Sequence, residues 1–235
     1  METPYRSPTL SSFPSNASLK DFEKTSDNED PRIISSPSRG ANYKTRAAEA
    51  VALLRIYSTT GSGSSSSFTN LGHSWLMITN LSGSTVNIAG INVADGKSIT
   101  ASTWDESVDV SREHKGLWLN LDSKLNSNGI NLQNVSIQLP LRQIDLDTVN
   151  TNIKNNDKWG YLTNCSTFAS KIWNSIASGS SKVDAGSINT PASLAKSITK
   201  VGEAESYTLL KYNTSSPHHD SVYYGYPPIK SNNNN

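Results

Sequence analysis

From His73 to Arg142 the sequence is a succession of short apolar segments, each closed by Gly, Asn, Asp or Ser. That punctuation leaves little room for anything but antiparallel strands. "HSWLMITN" and "STVNIAGINV" flank "LSGS" and predict a hairpin, and "KSITASTW", "KGLWLNLD" and "VSIQLPLR" predict further strands. "QIDLDTVNTNIKN" reads as a short helix or a turn. The period then changes. From Cys165, the residues Phe168, Ala169, Ile172, Trp173 and Ile176 recur at helical spacing. In "NTPASLAKSITKV", Thr190 is a good N-cap, Pro191 suits the first helical position, and Leu194, Ile198 and Val201 form an apolar face.

Upstream, "YKTRAAEAVALLRIYS" places Ala47, Val51 and Leu54 on one face of a predicted helix. The Gly/Ser-rich "TTGSGSSSSFTN" after it lacks the Lys-Ser/Thr of a phosphate-binding loop and reads as a linker. The expected order is therefore helix, several antiparallel strands, then helices, which is an α+β domain. It spans about residues 44–212. Residues 1–43 are rich in Ser, Pro, Asn and charge, with sparse apolar residues, and read as a disordered leader. Residues 213–235, polar and broken by proline, read as a flexible C-terminal tail. An overall hydrophobic content of 34% agrees with part of the chain lying outside the core.

A net charge of +1 gives no electrostatic case for nucleic acid or an acidic membrane surface. No apolar run approaches the ~20 residues of a membrane span. The first residues, "METPYRSPTLSSF", lack the basic and apolar regions of a cleavable signal peptide. One cysteine and scattered histidines offer no ligand spacing for a metal, and no cofactor is expected.

The chemistry concentrates on that cysteine. Asn164 is a good N-cap and Thr163 an alternative, and either puts Cys165 in the first turn of its helix. There the helix dipole favours a thiolate, and the free N–H groups around Asn164 and Ser166 can hold an oxyanion. Cys165 also stands three, four and seven residues before Phe168, Ala169 and Ile172, on the core-facing stripe where a plain buried cysteine belongs. A nucleophilic thiol needs a base. Of the four histidines, His218 and His219 fall in the tail, and His114 in the charged "SREHKG" reads as an exposed loop residue. His73, in "LGHSWLMITN", opens an apolar strand directly after a glycine.

Together "GHSWLMI", "NCSTFASKIW" and "TPASLAKSI" resemble the circularly permuted papain-like cysteine hydrolases, over about residues 70–200. In that group the strand with the catalytic histidine precedes the helix with the catalytic cysteine. The lecithin:retinol acyltransferase-like proteins have the same order, with Asn-Cys opening the helix. The resemblance implies a permuted papain-like domain in which an antiparallel sheet packs against helices, with Cys165 as nucleophile and His73 as base. For the third member, a "LSGS" hairpin would set position 92 opposite 73 and make Asn92 a candidate; Asn120 and Asp122 are alternatives. A further resemblance, to bacterial toxin acyltransferases of the Rho-inactivation type, favours Asp122.

The implied activity is cysteine-dependent hydrolysis of an amide or peptide bond, side-chain deamidation included, on a protein or peptide substrate. A fatty-acyltransferase or thioesterase of the same fold is the alternative, so a lipid substrate stays open. A non-catalytic binding module of the same shape is the rival from another class. The Ser/Pro/Asn-rich leader resembles those of bacterial effectors exported by specialised secretion systems, which would make a host protein a candidate substrate; otherwise the chain is expected in the cytoplasm.

Overall fold

The computed structural model describes residues 49–59, 72–104, 113–121 and 134–204, together with two short strands at 210–211 and 229–230. Both regions read as disordered or flexible lie largely outside the described residues, as does the Gly/Ser linker.

The fold is α+β, and every pairing in its seven-stranded sheet is antiparallel. The strands are β1 (Ala52–Thr59), β2 (Ser74–Asn80), β3 (Val86–Ile88), β4 (Ile91–Val93), β5 (Ser98–Thr103), β6 (His114–Lys115), β7 (Leu117–Leu119), β8 (Asn134–Leu141), β9 (Lys158–Trp159), β10 (Leu210–Lys211) and β11 (Ile229–Lys230). The order across the main sheet is β10-β8-β1-β2-β5-β7-β11. Among the described residues three α-helices follow β8, α1 (Gln143–Asn155), α2 (Cys165–Ile176) and α3 (Pro191–Ala204), with β9 between α1 and α2 and β10 and β11 after α3.

The first correction concerns β1. Residues 52–58, expected as part of a helix, and Thr59, expected to open the linker, form a central strand buried along its whole length. In "ALLRIYST" every residue is buried, with β2 paired along one edge of the strand and β8 along the other. The weak helical preference of Ala, Leu and Arg yields to that pairing.

The second correction is the hairpin. β2 pairs with β1 and β5, in the register Tyr57↔Trp75 and Leu76↔Ala101, and does not pair with β3. β3 and β4 form a separate hairpin around Ala89-Gly90, both with positive φ as its two-residue turn requires. Asn150 of α1 holds that turn, accepting from the Ala89 N–H at 2.8 Å and donating to the Asn87 carbonyl at 3.0 Å.

Two other segments were underread. "QIDLDTVNTNIKN" is a 13-residue helix, with Asp145 bonded back to the Arg142 N–H at 3.1 Å. Ile229 and Lys230, assigned to the flexible tail, pair with Leu119 and Trp118 at one edge of the sheet.

The helices gather on one face of the sheet, α2 against β1, β2 and β5 and α3 against β1 and β8. Leu54, Ile56, Leu76, Ile78, Ile99, Ile137 and Leu139 meet Phe168, Ile172, Trp173, Leu194 and Ile198 there. Each such side chain contributes roughly 1.5–3 kcal/mol on burial. The opposite face is also buried but mixed in character. Arg55 donates to Gln138 Oε1 at 2.6 and 3.2 Å and to the Tyr57 hydroxyl at 3.2 Å, and Tyr57 stacks on Trp75 at 5.0 Å.

Candidate active site

The mouth of α2 is assembled around one side chain. Asn164 Oδ1 accepts the N–H groups of Ser166 (3.0 Å) and Thr167 (3.3 Å), which is the cap expected from sequence. Its Nδ2 donates to the carbonyls of Asn189 (2.8 Å) and Tyr161 (3.3 Å). Asn189 answers by donating to the Leu162 carbonyl at 3.1 Å. The cap thus ties α2 to the turn before α3. Around this mouth, Tyr161, Leu162 and Ile188 are exposed to solvent.

Cys165 occupies the first position of α2 but is 1% exposed. Burial pushes its thiol up to about 11, against the opposing effect of nearby donors: the N–H of Ser74, the hydroxyl and N–H of Ser166, and its own N–H. The contact with Ser74 matters most for geometry. It places the sulfur beside the start of β2, at the residue bonded to His73.

His73 is likewise 1% exposed. Its backbone is fixed by β1, through its N–H to Thr59 Oγ1 (3.0 Å) and the Thr59 N–H to its carbonyl (3.0 Å). Its ring lies between indoles, stacked on Trp75 at 5.5 Å and edge-on to Trp104 at 5.0 Å. Neither ring nitrogen has a hydrogen-bond partner. Burial therefore lowers the imidazole to about 3 and holds it neutral. The sulfur reaches Ser74, whose side chain faces α2, whereas the ring of His73, the next residue, stacks with Trp75 on the opposite face of the sheet, and thiol and imidazole are not hydrogen-bonded to each other.

Gly72 makes this placement possible. Its φ is +68°, and a Cβ there would collide with the Thr59 hydroxyl and lie 3.0 Å from Pro191 Cβ. Gly72→Ala is expected to cost about 1–3 kcal/mol, from left-handed backbone plus the forced separation of β1 and α3. An unchanged urea midpoint would contradict that.

The third-member candidates separate. Asn92 lies on β4, where it faces Asn87 in register and accepts from Asn87 Nδ2 at 3.3 Å. The pairing of 92 with 73 does not form, because β3 and β4 close on each other instead of on β2, so Asn92 does not orient His73. Asn120 is buried at the end of β7, with φ +56°, and bonds to Thr100 through both backbone and side chain at 2.9 and 3.0 Å. That is a strand-terminating role, and it makes no bond to His73. Asp122 lies outside the described residues.

The oxyanion expectation also changes. The side-chain amide of Asn164 is spent on two carbonyls, and the Ser166 N–H on the cap. The donors left at the sulfur are the N–H groups of Cys165 and Ser74 and the Ser166 hydroxyl. His114, expected in an exposed loop, is a half-buried residue of β6 with its ring 5.6 Å from Trp159, and it has no part in this site.

Searches of this chain against protein-family models, curated proteins and solved structures returned no match. Among the described residues no group of His, Cys, Asp or Glu could hold a metal, and no helix is long and apolar enough to cross a membrane.

Sequence reasoning missed Ser58 and Ser74. Ser74 Oγ lies 2.7 Å from Ser58 Oγ and 3.1 Å from Ser166 Oγ, joining β1, β2 and α2 beneath the thiol. A serine in a strand carries no periodic signal, and only the register brings these three together.

Proposed function

We propose that the chain is a cysteine-dependent hydrolase of the permuted papain-like class, acting on an amide or peptide bond, with Cys165 as nucleophile and His73 as base. The observation that carries this reading is the meeting of Cys165 with the Ser74 N–H, one residue from a buried histidine whose two ring nitrogens are both unpartnered. Leaving such a group unsatisfied costs about 1–3 kcal/mol, which a purely structural residue has no reason to incur.

In the resting state both groups are neutral. Attack therefore begins from a thiol and an imidazole, not from a preformed ion pair. The substrate must reach a sulfur that is 1% exposed, so the reactive state differs from the resting one. Opening that admits water or substrate to His73 restores its basicity, and the ring must leave its stack on Trp75 and swing round the strand end to reach the sulfur. The S–H proton then passes to the imidazole as sulfur bonds to the carbonyl carbon. The N–H groups of Cys165 and Ser74 face the developing oxyanion, and the imidazolium returns the proton to the leaving amine. Water releases the acyl group by the same path reversed. A fatty-acyl transfer would share the acyl-enzyme and differ in the acceptor. A protein substrate, and export as a bacterial effector, belong to the same proposal.

One observation favours the non-catalytic binding module: burial holds thiol and imidazole in the forms that are poor nucleophile and poor base. An activated ester separates the two readings. p-Nitrophenyl acetate is expected to leave an acetyl group on Cys165 of the folded wild type and none on Cys165→Ala. Absence of the adduct in the folded wild type supports the binding module.

A further inference from the structure

We propose that Tyr161, Leu162 and Ile188 form the docking surface for an apolar side chain of a peptide substrate, held next to the carbonyl that the thiol would attack. Among the described residues four large apolar side chains are exposed, and these are three of them, at 46%, 58% and 50%. They come from two segments, 160–164 before α2 and 186–190 before α3, which the asparagine pair knits together. Asn164 Nδ2 donates to the carbonyls of Asn189 (2.8 Å) and Tyr161 (3.3 Å). The Leu162 carbonyl accepts from Asn189 Nδ2 at 3.1 Å and from Thr167 Oγ1 at 2.8 Å. The Asn189 N–H in turn donates to the Gly186 carbonyl at 3.1 Å. The carbonyls of Tyr161, Leu162 and Asn189 are thus all occupied from within, and what the joined segments turn to solvent is apolar. Clustered exposed apolar surface marks an interaction site, and a backbone fixed in advance presents it at little ordering cost.

Charge and distance select the occupant. Segments 160–164 and 186–190 carry no charged residue. Among the described residues the charged groups bonded to them are carboxylates: Glu113 Oε1 accepts from Thr163 Oγ1 at 2.9 Å, and Asp184 Oδ1 accepts the Gly186 N–H at 2.9 Å. That rim disfavours an acidic side chain, whereas an uncharged apolar one gains from burial. Leu162 stands three residues before Cys165, a chain distance of at most about 11 Å. A substrate residue covers about 3.3–3.6 Å, so a side chain one or two residues from the reacting carbonyl reaches the surface. The assignment rests on the hydrolase reading for its reaction, but the docking is measurable without turnover.

The test compares p-nitrophenyl esters of N-acetyl-leucylglycine, N-acetyl-glycylglycine, N-acetyl-aspartylglycine and octanoic acid on the full-length protein. Partial burial of a leucine side chain should raise kcat/KM about tenfold for the leucyl over the glycyl ester, and the aspartyl ester should be the poorest of the three peptides. In the double variant Leu162→Ser, Ile188→Ser the leucyl advantage should fall to about twofold or less. Ile144→Ser, at the fourth exposed position, on α1, should keep it. Equal rates for the leucyl and glycyl esters in the wild type, or an advantage that survives the double substitution, overturn the proposal. So does a preference for octanoate without one for leucine, which would assign the surface to an acyl chain. If no ester acylates Cys165, the catalytic reading fails, and the surface is judged by saturation transfer from folded Cys165→Ala protein to the leucyl methyls of N-acetyl-leucylglycinamide. Transfer that the double substitution abolishes upholds the docking surface, and absence of transfer overturns it.

Discussion

Between pH 6.5 and pH 3 the folded protein will lose on the order of 5 kcal/mol through His73 alone, about 2–3 kcal/mol of it by pH 4.5. In the unfolded chain this imidazole takes up its proton near 6.5; in the folded protein it does so only near 3. Within that window the unfolded state binds the extra proton, so stability falls as pH falls. The contribution is complete above 6.5 and gone below about 3. The cause is burial between Trp75 and Trp104 with both ring nitrogens unpartnered. His73→Phe keeps a ring in the stack and carries no proton. Urea midpoints at pH 7 and pH 4.5 should therefore converge for wild type and variant in the acid, if they differ at neutrality, or the variant should pull ahead there. An acid sensitivity identical in the two proteins would mean that His73 is solvated, or partnered, in solution. Cys165 gives a weaker slope at the other extreme. Its thiol is raised from 9 to about 11, so its share of the stability is present below pH 9 and is lost as pH rises to about 11.

Asn164→Ala is the second large effect, a loss of about 1–4 kcal/mol in urea or thermal unfolding. About 1–2 kcal/mol is the missing cap, and each of the two carbonyls that lose the Nδ2 donor adds up to about 1 kcal/mol. Asn164→Asp separates the parts. It restores a cap oxygen for Ser166 and Thr167 but places a carboxylate against the carbonyls of Asn189 and Tyr161, so it should recover no more than about half. Full recovery by aspartate would show that the tie to the α3 turn carries no weight. The result bears on chemistry as well, since Asn164 holds the first turn in which Cys165 sits.

The same side chains show why the sequence disclosed some of this and not the rest. The α2 helix was legible because its cap and stripe are local, with Asn164 at the start and Phe168, Ile172 and Trp173 at helical spacing, and α3 was legible through Thr190 and Pro191. β1 was misread because a strand buried on both faces shows the same continuous apolar run as a buried helix segment. Only the pairing with β2 and β8 distinguishes them. Asn92 was misplaced for a related reason: "LSGS" marks a turn, but not which strand the returning chain joins. β2 instead takes β5, and position 92 closes on Asn87. The nearness of Cys165 to His73 was expected from a resemblance; the sulfur reaches Ser74, while the ring of His73 stacks with Trp75 on the other face of the sheet. The burial of both, and the serines behind the thiol, depend on tertiary packing and leave no local pattern.

The central claim, that Cys165 reacts with assistance from His73, is tested most directly by alkylating the folded protein with iodoacetamide at neutral pH and comparing wild type with His73→Ala. The account predicts modification of Cys165 in the native wild type and a slowing of about 10²-fold or more in the variant, the scale of a general base. Labelling only after denaturation, or at a rate that His73→Ala leaves unchanged, would contradict it.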